Sequence, residues 1–173
     1  MSRPASPSPA LPLAHATLRL LIVANWLMGA AIAVLLLAMP TQRWIIAALG
    51  FPPDAGWIVL GLHAIAVLGL LSVPLNHAML TRLLAIVQTV RNGDPFVAAN
   101  AERLQRVAWV LVALQVLSLV IGAIGKAVST PAHPLHLDAG FSAMGWLAVL
   151  LTFLLARVFA LGAAMRDDLE GTV

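Results

Sequence analysis

Residues 17–38 read TLRLLIVANWLMGAAIAVLLLA, a run of 22 residues in which Arg19 is the single charged side chain. As an α-helix this run rises about 33 Å, which is enough to cross a hydrocarbon core of about 30 Å. The apolar region of a secretory signal is shorter, about 7–15 residues. Residues 37–40, LAMP, at the end of the run are also a poor cleavage site. We therefore predict that residues 17–38 form a first membrane span.

Three further apolar runs follow, and they predict spans over residues 56–76, 107–127 and 140–162. The whole chain is 61% hydrophobic and 10% charged, whereas a soluble domain averages about 45–50% apolar and about 25% charged residues. This composition excludes a soluble or a disordered protein. We predict an all-α integral membrane protein, a four-helix bundle that forms a single domain over residues 15–173.

The segments between the spans have distinct patterns. Four prolines in the first twelve residues predict a disordered tail over residues 1–14. Residues 41–50, with Arg43 and Trp44 at one end, are too short to span and predict a short interfacial helix. Apolar residues at helical spacing over 80–90 predict that span two continues as a helical extension. Residues 92–95, Asn-Gly-Asp-Pro, predict a turn, after which a helix restarts near Ala98.

Arginine and lysine residues lie mainly on one side of this topology. Eight of them accompany the amino end, the connection between spans two and three, and the carboxyl end: Arg3, Arg19, Arg82, Arg91, Arg103, Arg106, Arg157 and Arg166. The opposite side has Arg43 and Lys126. The positive-inside rule therefore places both termini and the middle connection in the cytoplasm. The basic residues are scattered along the chain, and the formal net charge is only +3. This distribution does not predict direct binding of nucleic acid.

The sequence lacks the residues of common catalytic sites. It has no cysteine, which excludes disulfides, thiolate nucleophiles and cysteine-based metal sites. No Ser-His-Asp arrangement, phosphate-binding loop or intramembrane pair of aspartates is present. We therefore expect a non-enzymatic protein and assign it no catalytic residue, no cofactor and no metal.

His63 lies near the middle of span two, where a titratable side chain is by default a functional candidate. The alternative is structural, because a neutral histidine can join two helices through a hydrogen bond. Asn25 in span one and Gln115 in span three lie at comparable depths and are its candidate partners. No Asp or Glu lies inside a span to complete a proton relay. This favours the structural alternative, in which these three side chains form polar contacts inside the membrane.

An alternative function is haem or metal binding. His63 and His77 are 14 residues apart and fall near one helix face, a spacing that resembles the ligands of membrane cytochromes of the b type. A second axial histidine is missing from the other three spans. His133 and His136, with Asp138, provide ligands that suit zinc or copper in the loop before span four. That loop contains two prolines and is equally consistent with a solvated turn.

Two motifs give the chain a family resemblance. Residues 90–97, VRNGDPFV, are followed by NAERL at 100–104, and the carboxyl end combines LARVFALG at 155–162 with MRDDLEGTV at 165–173. Together they resemble family 2975 of the domains of unknown function, with the resemblance extending from about residue 15 to the end. The resemblance implies a small bacterial inner-membrane protein with four spans and no established activity. It also implies a partnership with a small helix-turn-helix transcriptional regulator, because genes of this family often neighbour one.

Both motifs lie on the predicted cytoplasmic side and supply a candidate docking face for that regulator. Its residues are Gly93, Asp94, Pro95, Phe96, Asn100, Arg103, Arg157 and Asp168. The alternative is that they are helix caps and membrane-anchoring arginines. We expect Arg157, which lies inside the boundary, either to snorkel or to find an acceptor in Asp94, Glu102 or the free carbonyls at the end of the second helix, with Phe96 packed beneath the connection. The expected partners are thus the lipid bilayer and a small cytoplasmic transcriptional regulator, for which this protein would be a signalling accessory. Homo-oligomers are an additional possibility.

Topology reporters test the predicted orientation. Fusions after residues 93 and 173 should give a cytoplasmic signal, and fusions after residues 52 and 134 should give an external one, because arginines are retained on the cytoplasmic side. Alkaline phosphatase and green fluorescent protein activities of the four fusions provide the measurement. A cytoplasmic signal at residue 134 would contradict the four-span topology.

Overall fold

The computed structural model describes residues 10–38, 56–129 and 137–170, and each regular element in these ranges is a helix. The helices are α1 (Ala10–Ala38), α2 (Gly56–Arg91), α3 (Ala98–Val128) and α4 (Ala143–Glu170). All four are long and apolar enough to cross a membrane. This confirms the predicted all-helical architecture of a multi-pass membrane protein, to which a four-helix bundle fits. The predicted interfacial helix at 41–50 lies outside the described residues.

Three helix boundaries differ from those predicted for the first and fourth spans. Helix α1 begins at Ala10, so residues 10–14 are helical and do not belong to the predicted tail. Pro12 lies in the first turn of α1, where a proline is tolerated because the backbone N–H there has no partner within the helix. Helix α4 extends to Glu170, beyond the predicted end of span four at 162.

The start of α4 is determined by a capping serine. Ser142 precedes the helix; its Oγ accepts a hydrogen bond from the Gly145 N–H at 3.0 Å, and its carbonyl accepts one from Trp146 at 3.1 Å. Serine is a preferred residue at this position because it satisfies a backbone donor of the first turn. Gly140 adopts a positive φ of 128° just before it. The helix consequently begins at Ala143 and not at residue 140.

Helix α2 is continuous from Gly56 to Arg91, which confirms the predicted helical extension of span two. It runs through Pro74 without ending. Near this proline, the Asn25 Nδ2 of α1 donates to the Val73 carbonyl at 3.0 Å, and Gly29 packs against the same valine. Polar and small residues therefore join α1 to the middle of α2, as is common between helices in a membrane.

Helices that are neighbours in sequence pack against each other in antiparallel pairs. One end of the bundle, called the turn end below, contains residues 92–97 with the adjoining ends of the helices. The opposite end is called the far end. At the far end Ile58 of α2 and Val128 of α3 are buried together, and a Cβ on Gly61 would lie 2.2 Å from Val128.

Helix α3 and the segment before α4 lie in close contact near the far end. A Cβ on Gly122 would lie 2.7 Å from the Gly140 Cα and 2.8 Å from the Ala139 carbonyl oxygen. Ser118 joins the same segment, since the Gly140 N–H donates to its Oγ at 3.1 Å. A glycine at 122 thus lets the backbone before α4 lie directly on α3.

Substitution of Gly122 tests this close approach. Gly122→Ala should destabilise the protein by about 1–3 kcal/mol, because the added methyl group meets backbone atoms that cannot rotate away. Gly56→Ala is the matched control, since a Cβ there would meet no atom of the described residues within 4 Å. Thermal unfolding in detergent measures both variants. Equal stability of the two would show that α3 and α4 can separate here without cost.

Candidate functional site

The turn end contains the connection between α2 and α3, which is held by backbone hydrogen bonds. The Asn92 N–H donates to the Gln88 carbonyl, the Gly93 N–H to Val90 and the Asp94 N–H to Thr89, each at 3.1 Å. Gly93 has a φ of +87°, a conformation that residues with a Cβ rarely adopt. This confirms that α2 ends at a glycine turn, and it places Asp94 directly beyond that turn.

Asn100 is the centre of the turn end. It is the one fully buried polar side chain among the residues described, with 0% exposure. Its Nδ2 donates to Thr89 Oγ1 at 2.7 Å and to the Pro95 carbonyl at 2.9 Å, and its Oδ1 accepts a hydrogen bond from Arg103 at 2.8 Å. One amide thereby joins the last turns of α2, the connection and the first turns of α3. A buried amide with all these partners stabilises a single arrangement of the three segments.

Asp94 joins the connection to α4. Its carboxylate forms an ion pair with the Arg166 guanidinium, and both side chains are partly exposed. We expected Arg157 to find its acceptor in Asp94 or Glu102, and the structure differs on this point. Arg157 precedes Arg166 by nine residues, about 13.5 Å of helix rise. Because α4 continues to Glu170, its last turns and not residue 157 lie beside Asp94.

Phe96 packs against α4, as expected of a side chain that holds the connection to the bundle. The Phe96 and Phe159 ring centroids are 5.4 Å apart, and a Cβ on Gly162 would lie 2.9 Å from the Phe96 ring. Phe96 nevertheless stays 45% exposed. It therefore contributes to packing on one face of its ring and to the surface on the other.

The structure brings most of the candidate docking residues together. Gly93, Asp94, Pro95, Phe96, Asn100 and Arg103 belong to one connected cluster, which we call the cap. Arg157 and Asp168 lie on α4, the helix that the cap contacts through Phe96 and Asp94. Of the cap residues, Gly93 and Phe96 are exposed and Asn100 is buried. Asn100 thus serves the cap from inside and has no surface to offer a partner.

Arg157 lines a groove of about 520 Å³ between α3 and α4. Glu102 and Gln105 of α3 line it from the opposite side, and Ala156, Ala160 and Ala163 form much of the α4 wall. Within the described part of the chain Arg157 forms no ion pair or hydrogen bond, whereas Glu102 pairs with Arg106 at 3.4 Å. This is consistent with an arginine that extends toward the interface.

The predicted intramembrane polar residues do not form a single network. The His63 Nδ1 lies 2.8 Å from the Val59 carbonyl of its own helix, and Gln115 donates to the Ser142 carbonyl at 3.4 Å. Asn25 bonds to Val73, as described above. Each of the three therefore has its own structural partner, and His63 is not joined to Asn25 or Gln115 in the described structure.

His77 has a partner that was not expected. The Trp26 Nε1 donates to the His77 Nδ1 at 3.2 Å, and the two rings meet edge to face with centroids 5.5 Å apart. His133 and His136 lie outside the described residues. Among the residues described, no group of three His, Cys, Asp or Glu side chains is arranged to hold a metal ion. The haem and metal alternatives gain no support from this geometry.

Two contributors to the cap were missed by sequence reasoning. Thr89 accepts the Asn100 hydrogen bond and donates its own hydroxyl to the Ile86 carbonyl at 2.7 Å. A threonine in the last turns of α2 gives no distinctive pattern. Arg166 lies in the carboxyl-terminal motif of the predicted docking face, but its pairing with Asp94 was missed, although a helical period continued from Phe159 places it one turn beyond Gly162 on the same face.

One family model, described as protein of unknown function (DUF2975), matches residues 47–173. This range contains both motifs and confirms the resemblance drawn from them, although α1 lies outside the match. Neither a curated protein nor a solved structure matches the chain.

A double-mutant cycle tests the ion pair that closes the cap. Asp94→Ala and Arg166→Ala should each lower thermal stability, and their combined effect should be smaller than the sum by about 0.5–1 kcal/mol, as for a partly exposed pair. Asp94→Ala combined with Arg157→Ala is the control and should be additive. Coupling of Asp94 to Arg157 in place of Arg166 would contradict the described pairing.

Proposed function

The chain belongs to the family described as protein of unknown function (DUF2975), and from this premise we propose that it is a non-enzymatic membrane accessory protein. In this proposal the cap faces the cytoplasm of a bacterial cell and binds a soluble regulator. The single observation that carries it is the Asn100 network, which holds an exposed connection in one conformation.

A preorganised surface favours binding because less conformational entropy is lost when a partner arrives. The connection and the start of α3 are exposed at Asn92, Gly93, Ala99 and Glu102. Beneath them, the Asn100 amide and the Asp94 ion pair restrain the backbone from two sides. A connection that served only to reverse the chain would not need three segments joined by one buried amide.

Phe96 supplies an apolar anchor at the centre of this surface. Its ring is 45% exposed although it lies beside the polar residues of the connection, and it is held in place by Phe159. Aromatic side chains that are already ordered are frequent centres of binding energy in protein interfaces. The cap therefore combines a fixed backbone, a partly exposed ring and polar groups around it, as expected for a docking surface.

The class of partner follows from the family resemblance. A small helix-turn-helix regulator held at the membrane would be removed from its DNA sites, and a signal sensed by the spans would release it.

The non-enzymatic part of the proposal rests on the lack of a catalytic constellation in the sequence. The alternative of a haem or metal protein is tested by the absorption spectrum and metal content of the purified chain, in which a stoichiometric Soret band or bound zinc would overturn the proposal.

Photo-cross-linking in intact cells tests the docking surface. A photoreactive amino acid replaces Ala99 in one variant and Ala127 in the other; both alanines are exposed, and they lie at opposite ends of α3. We expect the probe at 99 to capture a soluble helix-turn-helix protein, identified by mass spectrometry, and the probe at 127 not to. Occupancy of that regulator's DNA sites should rise when the membrane protein is deleted. Identical adducts at the two positions, or unchanged DNA occupancy, would refute the proposal.

A further inference from the structure

An apolar groove lies between α1 and α4 in the half of the bundle nearest the turn end. Its volume is about 620 Å³, within the range of about 300–1,000 Å³ typical of small-molecule sites. All four helices contribute to its lining, which is apolar except for Thr17: Leu13, Ala14, Thr17, Leu18, Leu83, Ile86, Val87, Leu104, Leu155 and Phe159. Helices α1 and α4 make little or no direct contact with each other. The groove lies in the space between them.

Cationic side chains gather beside the groove at the turn end. Leu83, Val87 and Arg91 follow one another at intervals of four residues, so they form one ridge of α2 that leads from the apolar lining to a guanidinium group. His15 is next to the lining residue Ala14, and Arg19 follows His15 by one helical turn on the same face of α1. Three basic groups from α1 and α2 are thereby brought close together.

No carboxylate of the described residues neutralises these groups. Two ion pairs in the described ranges are Arg106 with Glu102 and Arg166 with Asp94, and neither includes Arg19 or Arg91. Both arginines are exposed. Like charges held close together repel each other, and a bound anion relieves that repulsion. The groove thus offers an apolar surface next to a basic cluster that is not neutralised by any carboxylate in the described part of the chain.

We propose that this groove binds an acyl chain of an anionic phospholipid from the leaflet at the turn end, with the lipid phosphate at Arg91 and with Arg19 and His15 nearby. A phospholipid joins an apolar chain to an anionic group, and these are the two chemistries that the groove and the cluster present side by side. The chain's own first nine residues contain Arg3 and no carboxylate, so they bring no anion to the cluster. The site is separate from the docking surface of the cap, and it does not depend on the proposed regulator.

Native mass spectrometry of the full chain in detergent tests the headgroup contact. Phosphatidylglycerol and phosphatidylcholine with identical acyl chains are titrated separately, and we expect the first phosphatidylglycerol to bind at least about fivefold more tightly, as one arginine near a headgroup provides. Arg91→Gln should remove about fivefold of that affinity. Arg106→Gln is the control, because Arg106 is an exposed arginine already paired with Glu102 on α3. Equal affinities for the two lipids, or no effect of Arg91→Gln, would overturn the proposal.

A second pair of variants tests the acyl-chain site. Ala14→Phe places a ring in the groove and should abolish preferential phosphatidylglycerol binding, whereas Ala30→Phe, at an exposed position of α1 outside the groove lining, should preserve it. Thermal unfolding of each variant checks that the bundle has formed. If Ala14→Phe retains the lipid, the chain lies elsewhere and the proposal fails. If Ala14→Phe instead dissociates a dimer seen in the same spectra, a second copy occupies the groove and the proposal is overturned as well.

Discussion

A polar group in a hydrocarbon environment must find its partner within the protein, and the whole structure is organised by this constraint. Helices satisfy the backbone internally, and hydroxyl groups inside them donate to their own preceding turns, as Ser72 does to Gly69 at 2.6 Å and Thr152 to Ala148 at 2.7 Å. Some polar side chains instead bond to a partner outside their own helix. Asn25 and Gln115 do so, and no buried side-chain nitrogen or oxygen in the described ranges lacks a partner.

Because lipid tails are as apolar as leucine, apolar side chains do not by themselves drive these helices together. Large apolar residues such as Leu20, Leu60 and Leu154 are each more than 60% exposed, consistent with surfaces that face lipid. Close approach at glycines increases the van der Waals contact between helices instead. Gly61 against Val128 and Gly122 against Gly140 are two examples, and both lie toward the far end. The turn end is held differently, by the hydrogen bonds of Asn100 and by the ion pair of Asp94.

Hydropathy was sufficient to predict the four long apolar helices of the described residues and the continuation of α2, because each depends on residues close in sequence. The ends of α1 and α4 were harder to predict from hydropathy. Pro12 and Ser142 affect these ends through local backbone geometry, which does not depend on apolar content. The sequence did not identify which arginine pairs with Asp94, because Arg157 and Arg166 are the same residue type on one helix. The length of α4 and its alignment with the connection decide between them. Asn100 was recognised as part of the motif, but its complete burial depends on Thr89 and Pro95 meeting in space.

The last turns of α2 serve the cap and the groove at once. Leu83 and Val87 line the groove, while Thr89, two residues further on, accepts the hydrogen bond of Asn100. Successive residues of a helix point in different directions but move with one backbone, so a shift of these turns would change the groove and the cap together. A lipid that binds more tightly to one position of α2 would therefore change the affinity of a partner at the cap, and that partner would change lipid affinity by the same factor. The two proposed sites, although separate in composition, are linked through a single helix end.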